Sequence, residues 1–173
     1  MKKIVIFILS LILFAKEVYF MPNDGKEAEK KLFKLFTHAN KSIKIIIYTF
    51  TNKKLAKALK IASKKGVNIK IIADKKEAKY KNSVIPNLAL IKNINIYLLS
   101  GKSYKNGDKA KMHVKMSIID NKFLVIGSAN YSYSAFYKNY EYLIIDKDKY
   151  LIKKFDTFFN EILKKSTPFR FSR

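Results

Sequence analysis

One of the two histidines in this chain, His113, stands among residues that could do chemistry together. Lys115 follows two residues later and Asp120 five after that. Gly127, Ser128 and Asn130 come next, and Glu141 follows a polar-aromatic stretch. The runs V-K-M-S-I-I-D and F-L-V-I-G are short and apolar, and Asn121-Lys122 splits them. That pattern predicts two strands joined by a tight turn. Strand side chains alternate faces, so His113, Lys115 and Ser117 share one face, and Val114, Met116 and Ile118 the other. A hairpin brings Gly127, Ser128 and Asn130 back beside His113. The result is a nucleophile or base, a fixed cation, a hydroxyl and an amide around one point. That set suits an anionic, tetrahedral group. Asp120 has the opposite parity, so its expected role is support of the strand end or of a neighbouring lysine.

H-x-K-x-x-x-x-D followed by G-S-x-N resembles the HKD signature of the phospholipase D superfamily, whose phosphodiesterases cleave lipid or nucleic-acid phosphodiesters. The signature occurs once. Short single-copy chains are similar to Nuc-type bacterial endonucleases and, more distantly, to the mitochondrial cardiolipin hydrolase branch. The resemblance is strongest over residues 112–145 and extends in element order over 25–166. It implies that His113, Lys115, Asp120, Asn130 and Glu141 belong to the catalytic set. It also implies that Lys115, Ser128 and Asn130 hold the phosphate oxygens. N-x-E at 139–141 matches the family pattern, with Glu141 orienting a ring nitrogen of His113.

The elements that must position these residues alternate. Asp24 to Asn40 reads as a helix with an apolar stripe of Leu32, Phe33, Leu35 and Phe36. His38 falls in its last turn, where a helix-end or surface role is expected, because a cation is favoured there. Ser42 to Thr49 reads as a buried strand, Leu55 to Ser63 as a helix with Gly66 capping its end, and Val67 to Asp74 as a strand. Ala78 to Ile91 is helical or mixed, with Pro86 interrupting it. Ile94 to Leu99 is a strand, and Ser100 to Lys111 a mobile polar loop. Ser132 to Asn139 is a short helix, Tyr140 to Asp146 a strand, and Lys149 to Ser166 a terminal amphipathic helix. This alternation predicts an α/β domain with parallel components, and the resemblance implies a phospholipase D-like α-β-α sandwich, a mixed β-sheet flanked by helices on both faces, over residues 22–173.

Residues 1–15 stand apart. Lys2 and Lys3 precede an uncharged apolar run from Ile4 to Ala15. That is the pattern of a secretory signal, or of an N-terminal anchor allowing membrane association, although the run is short for a membrane span. Export to the periplasm or cell envelope is the expectation.

Charge narrows the partners. With 36 basic and 13 acidic residues the formal net charge is +23. Such an excess favours a polyanion, either nucleic acid or an anionic phospholipid surface. One of two lysine clusters, Lys102, Lys105, Lys109, Lys111 and Lys115 or Lys75, Lys76, Lys79 and Lys81, is expected to form a phosphate-tracking rim. Lysine in place of arginine favours backbone contact over base reading. The absence of cysteine excludes disulfides, thiolate metal sites and cysteine nucleophiles. No H-E-x-x-H, Cys-His cluster or acidic calcium loop is present, so no metal and no cofactor is implied.

Phosphodiester cleavage without a metal needs a nucleophile and an acid for the leaving oxygen. The chain offers one histidine with suitable neighbours. A symmetric homodimer with two copies of His113 across a shared site, as in the single-motif relatives, meets the need. Three function classes follow. They are an exported non-specific nuclease, a phospholipase acting on phosphatidyl head groups including cardiolipin, and a binding protein with a degenerate site. The complete motif disfavours the last.

Overall fold

The computed structural model describes residues 16–169, so the expectations for residues 1–15 fall outside it. No helix among the described residues is long and apolar enough to cross a membrane. The strands are β1 (Glu17–Met21), β2 (Ser42–Ile47), β3 (Asn68–Asp74), β4 (Ile94–Leu99), β5 (Lys115–Ile119), β6 (Phe123–Gly127), β7 (Glu141–Asp146) and β8 (Thr167–Pro168). The helices are α1 (Gly25–Thr37), α2 (Lys53–Lys64), α3 (Ile85–Ala89), α4 (Tyr133–Tyr137) and α5 (Lys149–Lys165). All eight strands join one sheet in the order β1-β7-β6-β5-β2-β3-β4-β8. β2, β3 and β4 run parallel, and the other pairs are antiparallel.

β2 shows why the sheet is buried on both sides. Its run I-K-I-I-I places Ile43, Ile45 and Ile47 in one core and Ile46 in the other, all fully buried. A strand covered on both faces needs this near-continuous apolar run. The larger core packs under α1, α2, α3 and α4. The smaller core joins Ile46, Ile72, Met116 and Ile118 to Ile152 and Phe159 of α5. Lys44 points to that second side and is held by Asp156 of α5. Helices therefore cover both faces, as the resemblance implies.

Three details depart from the expectations. Glu17–Met21 forms an edge strand against β7, so the sheet takes in residues ahead of the boundary placed at 22. In the folded chain Tyr19 and Met21 pack on the core, and Val18 and Phe20 face out. Pro86 sits in the first turn of α3 and starts that helix, a position where its missing N–H has no partner to lose. The loop expected at 100–111 folds back on itself, with Gly101 N–H on the Ala110 carbonyl (2.7 Å) and a Ser103–Lys109 bridge.

A candidate phosphoryl site at one end of the sheet

β5 and β6 form the expected hairpin, with Met116 opposite Ile126 and Ile119 opposite Phe123. The tight positions of its turn are Asp120 and Asn121, at φ 54° and 53°, one residue earlier than the Asn121-Lys122 pair. Asp and Asn tolerate this left-handed region better than other non-glycine residues, which fits a primed hairpin turn.

Strand direction then gathers the functional residues. The C-terminal ends of β2 and β6 and the N-terminal ends of β5 and β7 meet at one edge of the sheet. His113 lies two residues ahead of Lys115, the first residue of β5. The Lys115 ammonium sits 3.0 Å from His113 Nδ1 and 2.9 Å from the His113 carbonyl. Ser117 continues the same face and meets the Tyr131 hydroxyl at 2.6 Å.

Gly127 permits the next contact. A Cβ there would lie 2.2 Å from the Tyr142 carbonyl oxygen, so only glycine allows β6 and β7 this close. Ser128 is consequently pinned: its N–H donates to the Tyr142 carbonyl, and its Oγ accepts the Tyr142 N–H, both at 3.1 Å. The Ser128 hydroxyl donates to the Glu141 carboxylate. Glu141 is thus engaged by Ser128 within the chain, where the family pattern has it orienting His113. The registered β6–β7 pairing sets Ser128 directly beside it.

Asn130 is aimed by a staple between two loops. Tyr131 is buried between Phe36 and Phe50, edge-on to both rings. Its carbonyl accepts the Thr51 and Asn52 N–H groups at 2.9 Å, and its N–H donates to the Thr49 carbonyl at 3.1 Å. The Asn130 Oδ1 accepts the Thr49 N–H at 3.2 Å. The Nδ2 group, a pure donor, is left for an anionic ligand.

Asp120 lies at the other end of β5, about 17 Å of strand away from Lys115. The resemblance to the motif counts it with the catalytic set. Its carboxylate instead accepts the N–H groups of Asn40, Lys41 and Ser42 at 2.8, 2.8 and 2.9 Å. It ties the hairpin turn to the start of β2, as its parity anticipates. Burial pushes its carboxyl up, but the three N–H donors outweigh this and hold it below the usual 3.8. His38 caps the end of α1 near the same turn, with Nδ1 2.8 Å from the Lys34 carbonyl. It is at the wrong end of the sheet to serve the site.

Two contributors were not foreseen. The Tyr48 ring lies 4.6 Å from the His113 ring, with the Lys111 and Lys115 ammonium groups 5.5 and 5.3 Å from its centroid. Asp74, buried at the end of β3, accepts the Met112 N–H at 2.9 Å and so fixes the residue ahead of His113. Both end apolar strand runs, where sequence alone gives no hint of the partner.

The electrostatics follow from this packing. Partial burial is the largest influence on His113, and Lys115 and Lys111 add to it, so its pKa falls below 6.5 despite Asp74 and Glu141. Burial likewise lowers Lys115, reinforced by Lys111 and opposed by Glu141. A neutral imidazole beside a desolvated ammonium is suited to attack on an anionic phosphorus centre. Among the described residues no group of three or more acidic or histidine side chains is placed to hold a metal.

Comparison with known proteins gives the same picture. A family described as "Cardiolipin synthase, PLD-like domain" matches residues 32–163. The structure of NucT from Helicobacter pylori is similar with a TM-score of 0.87 and 32% identity, covering 90% of this chain and 99% of that one. A phospholipase D family member, Nuc from Salmonella typhimurium, shares the fold with a TM-score of 0.73 at 23% identity, covering 91% of this chain and 99% of its own. Human mitochondrial cardiolipin hydrolase is 23% identical over 148 residues, which are 86% of this chain and 56% of that protein. The chain thus spans about half the length of the curated relatives it matches.

Proposed function

The chain belongs to the phospholipase D superfamily, and on that premise we propose that it is a metal-independent endonuclease working through a phosphohistidine in a homodimer. One observation carries the reading. A single imidazole, His113, stands beside Lys115 at the open end of the sheet, where Asn130 is held on the Thr49 N–H, and the second histidine is at the opposite end. In-line displacement at phosphorus needs both an attacking base and an acid for the leaving oxygen. A two-fold axis beside the site supplies the second from an identical chain.

The step then balances. Neutral His113 attacks phosphorus through Nε2, and a P–N bond forms as the bond to the leaving oxygen breaks. The partner subunit's His113 gives that oxygen its proton. Water next attacks phosphorus, surrenders a proton to the partner's His113, and His113 is released. Attack through Nε2 requires the ring proton on Nδ1. Lys115 therefore turns from Nδ1 to a phosphate oxygen when substrate arrives, and Glu141 becomes the acceptor for Nδ1–H. Lys115 and the Asn130 Nδ2 stabilise the equatorial oxygens, joined by Ser128 once its hydroxyl turns from Glu141 to the phosphate.

Support for nucleic acid comes from the +23 charge, the single motif and the likeness to NucT. The pattern of residues 1–15 makes export part of the proposal. A second reading, hydrolysis of phosphatidyl head groups, is favoured by the names of curated relatives, among them mitochondrial cardiolipin hydrolases. Protein given single-stranded DNA, RNA, plasmid and cardiolipin vesicles side by side, in excess EDTA, decides between them. Cleavage of nucleic acid with vesicles intact is expected. Vesicle hydrolysis alone would replace the reading with the second, and loss of activity in EDTA would end the metal-free mechanism.

A further inference from the structure

A groove of about 960 Å³ opens from Thr49 and Asn130 and runs out along α2. One wall is the N-terminal half of α2, with Lys53, Lys57 and Lys60 in the lining. The other wall brings Lys81, Asn82 and Asn87. No carboxylate lines it. The spacing i, i+4, i+7 sets the three α2 lysines in one row. At 1.5 Å per residue that row is about 10 Å long.

A lysine row on an amphipathic helix is ordinarily a solvated face, and α2 has such a face. Two facts separate this row from that case. Lys54, one residue away, turns to the far side and is paired at 2.6 Å with the buried Glu29, whereas no ion pair among the described residues involves Lys53, Lys57, Lys60 or Lys81. The row also faces a second polar wall, and the groove abuts the phosphoryl site through Thr49 and Asn130.

The sequence pointed elsewhere for the phosphate rim. Lys102, Lys105 and Lys109 lie exposed on the folded-back loop, and Lys75, Lys76 and Lys79 are exposed beyond the end of β3. Of those clusters, only Lys81 lines the groove.

We propose that this groove is a binding site for the phosphate backbone of a single nucleic-acid strand whose scissile phosphate lies at His113. The inference rests on the nuclease reading and adds to it the path of the strand and the residues that hold it. A single lipid drawn into the site brings one phosphate, or two in cardiolipin, whereas a row of about 10 Å continues past the reacting one. A strand repeats its phosphates, so the row engages several of them beyond the one being cut. Its apolar lining is Ala56, Val84, Leu88 and the Tyr80 ring, set among lysines, asparagines and hydroxyls. Ammonium groups on flexible stems contact phosphates without reading bases, so binding is indifferent to sequence.

The test is equilibrium binding of a fluorescent 12-nucleotide strand to full-length protein carrying His113→Ala, so that turnover plays no part. Lys53→Gln, Lys57→Gln and Lys60→Gln are then added together, with thermal melting to confirm that the triple variant folds. Affinity is expected to drop by about tenfold or more, and the slope of log affinity against log salt to flatten by about 2, three lost phosphate contacts at ~0.7 each. A Lys64→Gln control, on α2 but outside the groove, moves neither. Unchanged affinity and slope in the triple variant would overturn the groove, whether or not the wild type cuts the strand. Retained groove binding by a wild type that fails to cut would instead overturn the nuclease reading and leave the groove standing. Loss of cardiolipin-vesicle binding with strand binding intact would overturn the proposal in favour of lipid.

Discussion

The two ends of the β5–β6 hairpin use the same kinds of residue in opposite ways. At the turn, Asp120 is saturated by three backbone N–H groups and holds loop to strand. At the open end, the Asn130 Nδ2 and the exposed His113 ring keep bonding capacity in reserve. A polar group that spends all its bonds inside the fold stabilises it, while one that keeps some can meet a ligand. The short signature that unites them therefore mixes a structural residue with chemical ones.

His113→Ala is the sharpest probe of the open end. A loss in kcat of at least about 10³-fold is expected, with no fall in melting temperature, because His113 is exposed. Near-normal turnover would remove the nucleophile from the mechanism. The turn should answer in the reverse sense. Asp120→Asn is expected to cost roughly 2–3 kcal/mol of stability at neutral pH through weakened charge-assisted bonds, yet leave kcat within about twofold where the protein is folded. Since the Asp120 pKa is lowered on folding, its contribution is full above the unfolded value near 3.8 and is lost as pH falls through the folded value. Denaturation curves of the two proteins should thus converge in acid. A large kcat defect without destabilisation would make Asp120 a catalytic residue after all.

Tyr48 tests the support of the open end. Tyr48→Ala is expected to lower kcat by about tenfold by freeing the His113 ring and the two ammonium groups beside it. Tyr48→Phe keeps the ring and should behave as wild type; failure of that rescue would mean that the hydroxyl matters. The smallest effect concerns pH. His113 stays neutral below its usual 6.5, so the acid limb of kcat/KM should lie below that value. Lys111→Gln removes one of the repulsions and should move the limb upward. No movement would show that Lys111 does not act on the ring.

Much of this was legible in the residue order. Period-two runs gave the hairpin, and parity correctly separated Asp120 from His113 and Lys115. Elsewhere the reading was incomplete for physical reasons. β1 was missed because five residues next to a long apolar run carry little periodic signal, and because an edge strand with outward Val18 and Phe20 does not look amphipathic from its neighbours. The Ser128 hydroxyl on the Glu141 carboxylate was not legible either, because cross-strand register, not sequence spacing, decides which hydroxyl it meets.

By itself the sequence determined the chemistry on offer: one imidazole, one ammonium on the same strand face, a hydroxyl and an amide within reach, no thiol, and a large positive charge. Those are properties of residue type and local periodicity, which the chain carries wherever it goes. Only the tertiary structure decided that the end of β2 would bring Tyr48 to that imidazole, that Asp74 would fix its approach, and that Lys53, Lys57 and Lys60, with Lys81 alone of the denser lysine clusters, would border the groove. Such contacts join residues far apart in the chain. They exist because a sheet with strand order β7-β6-β5-β2-β3 must place those strand ends side by side.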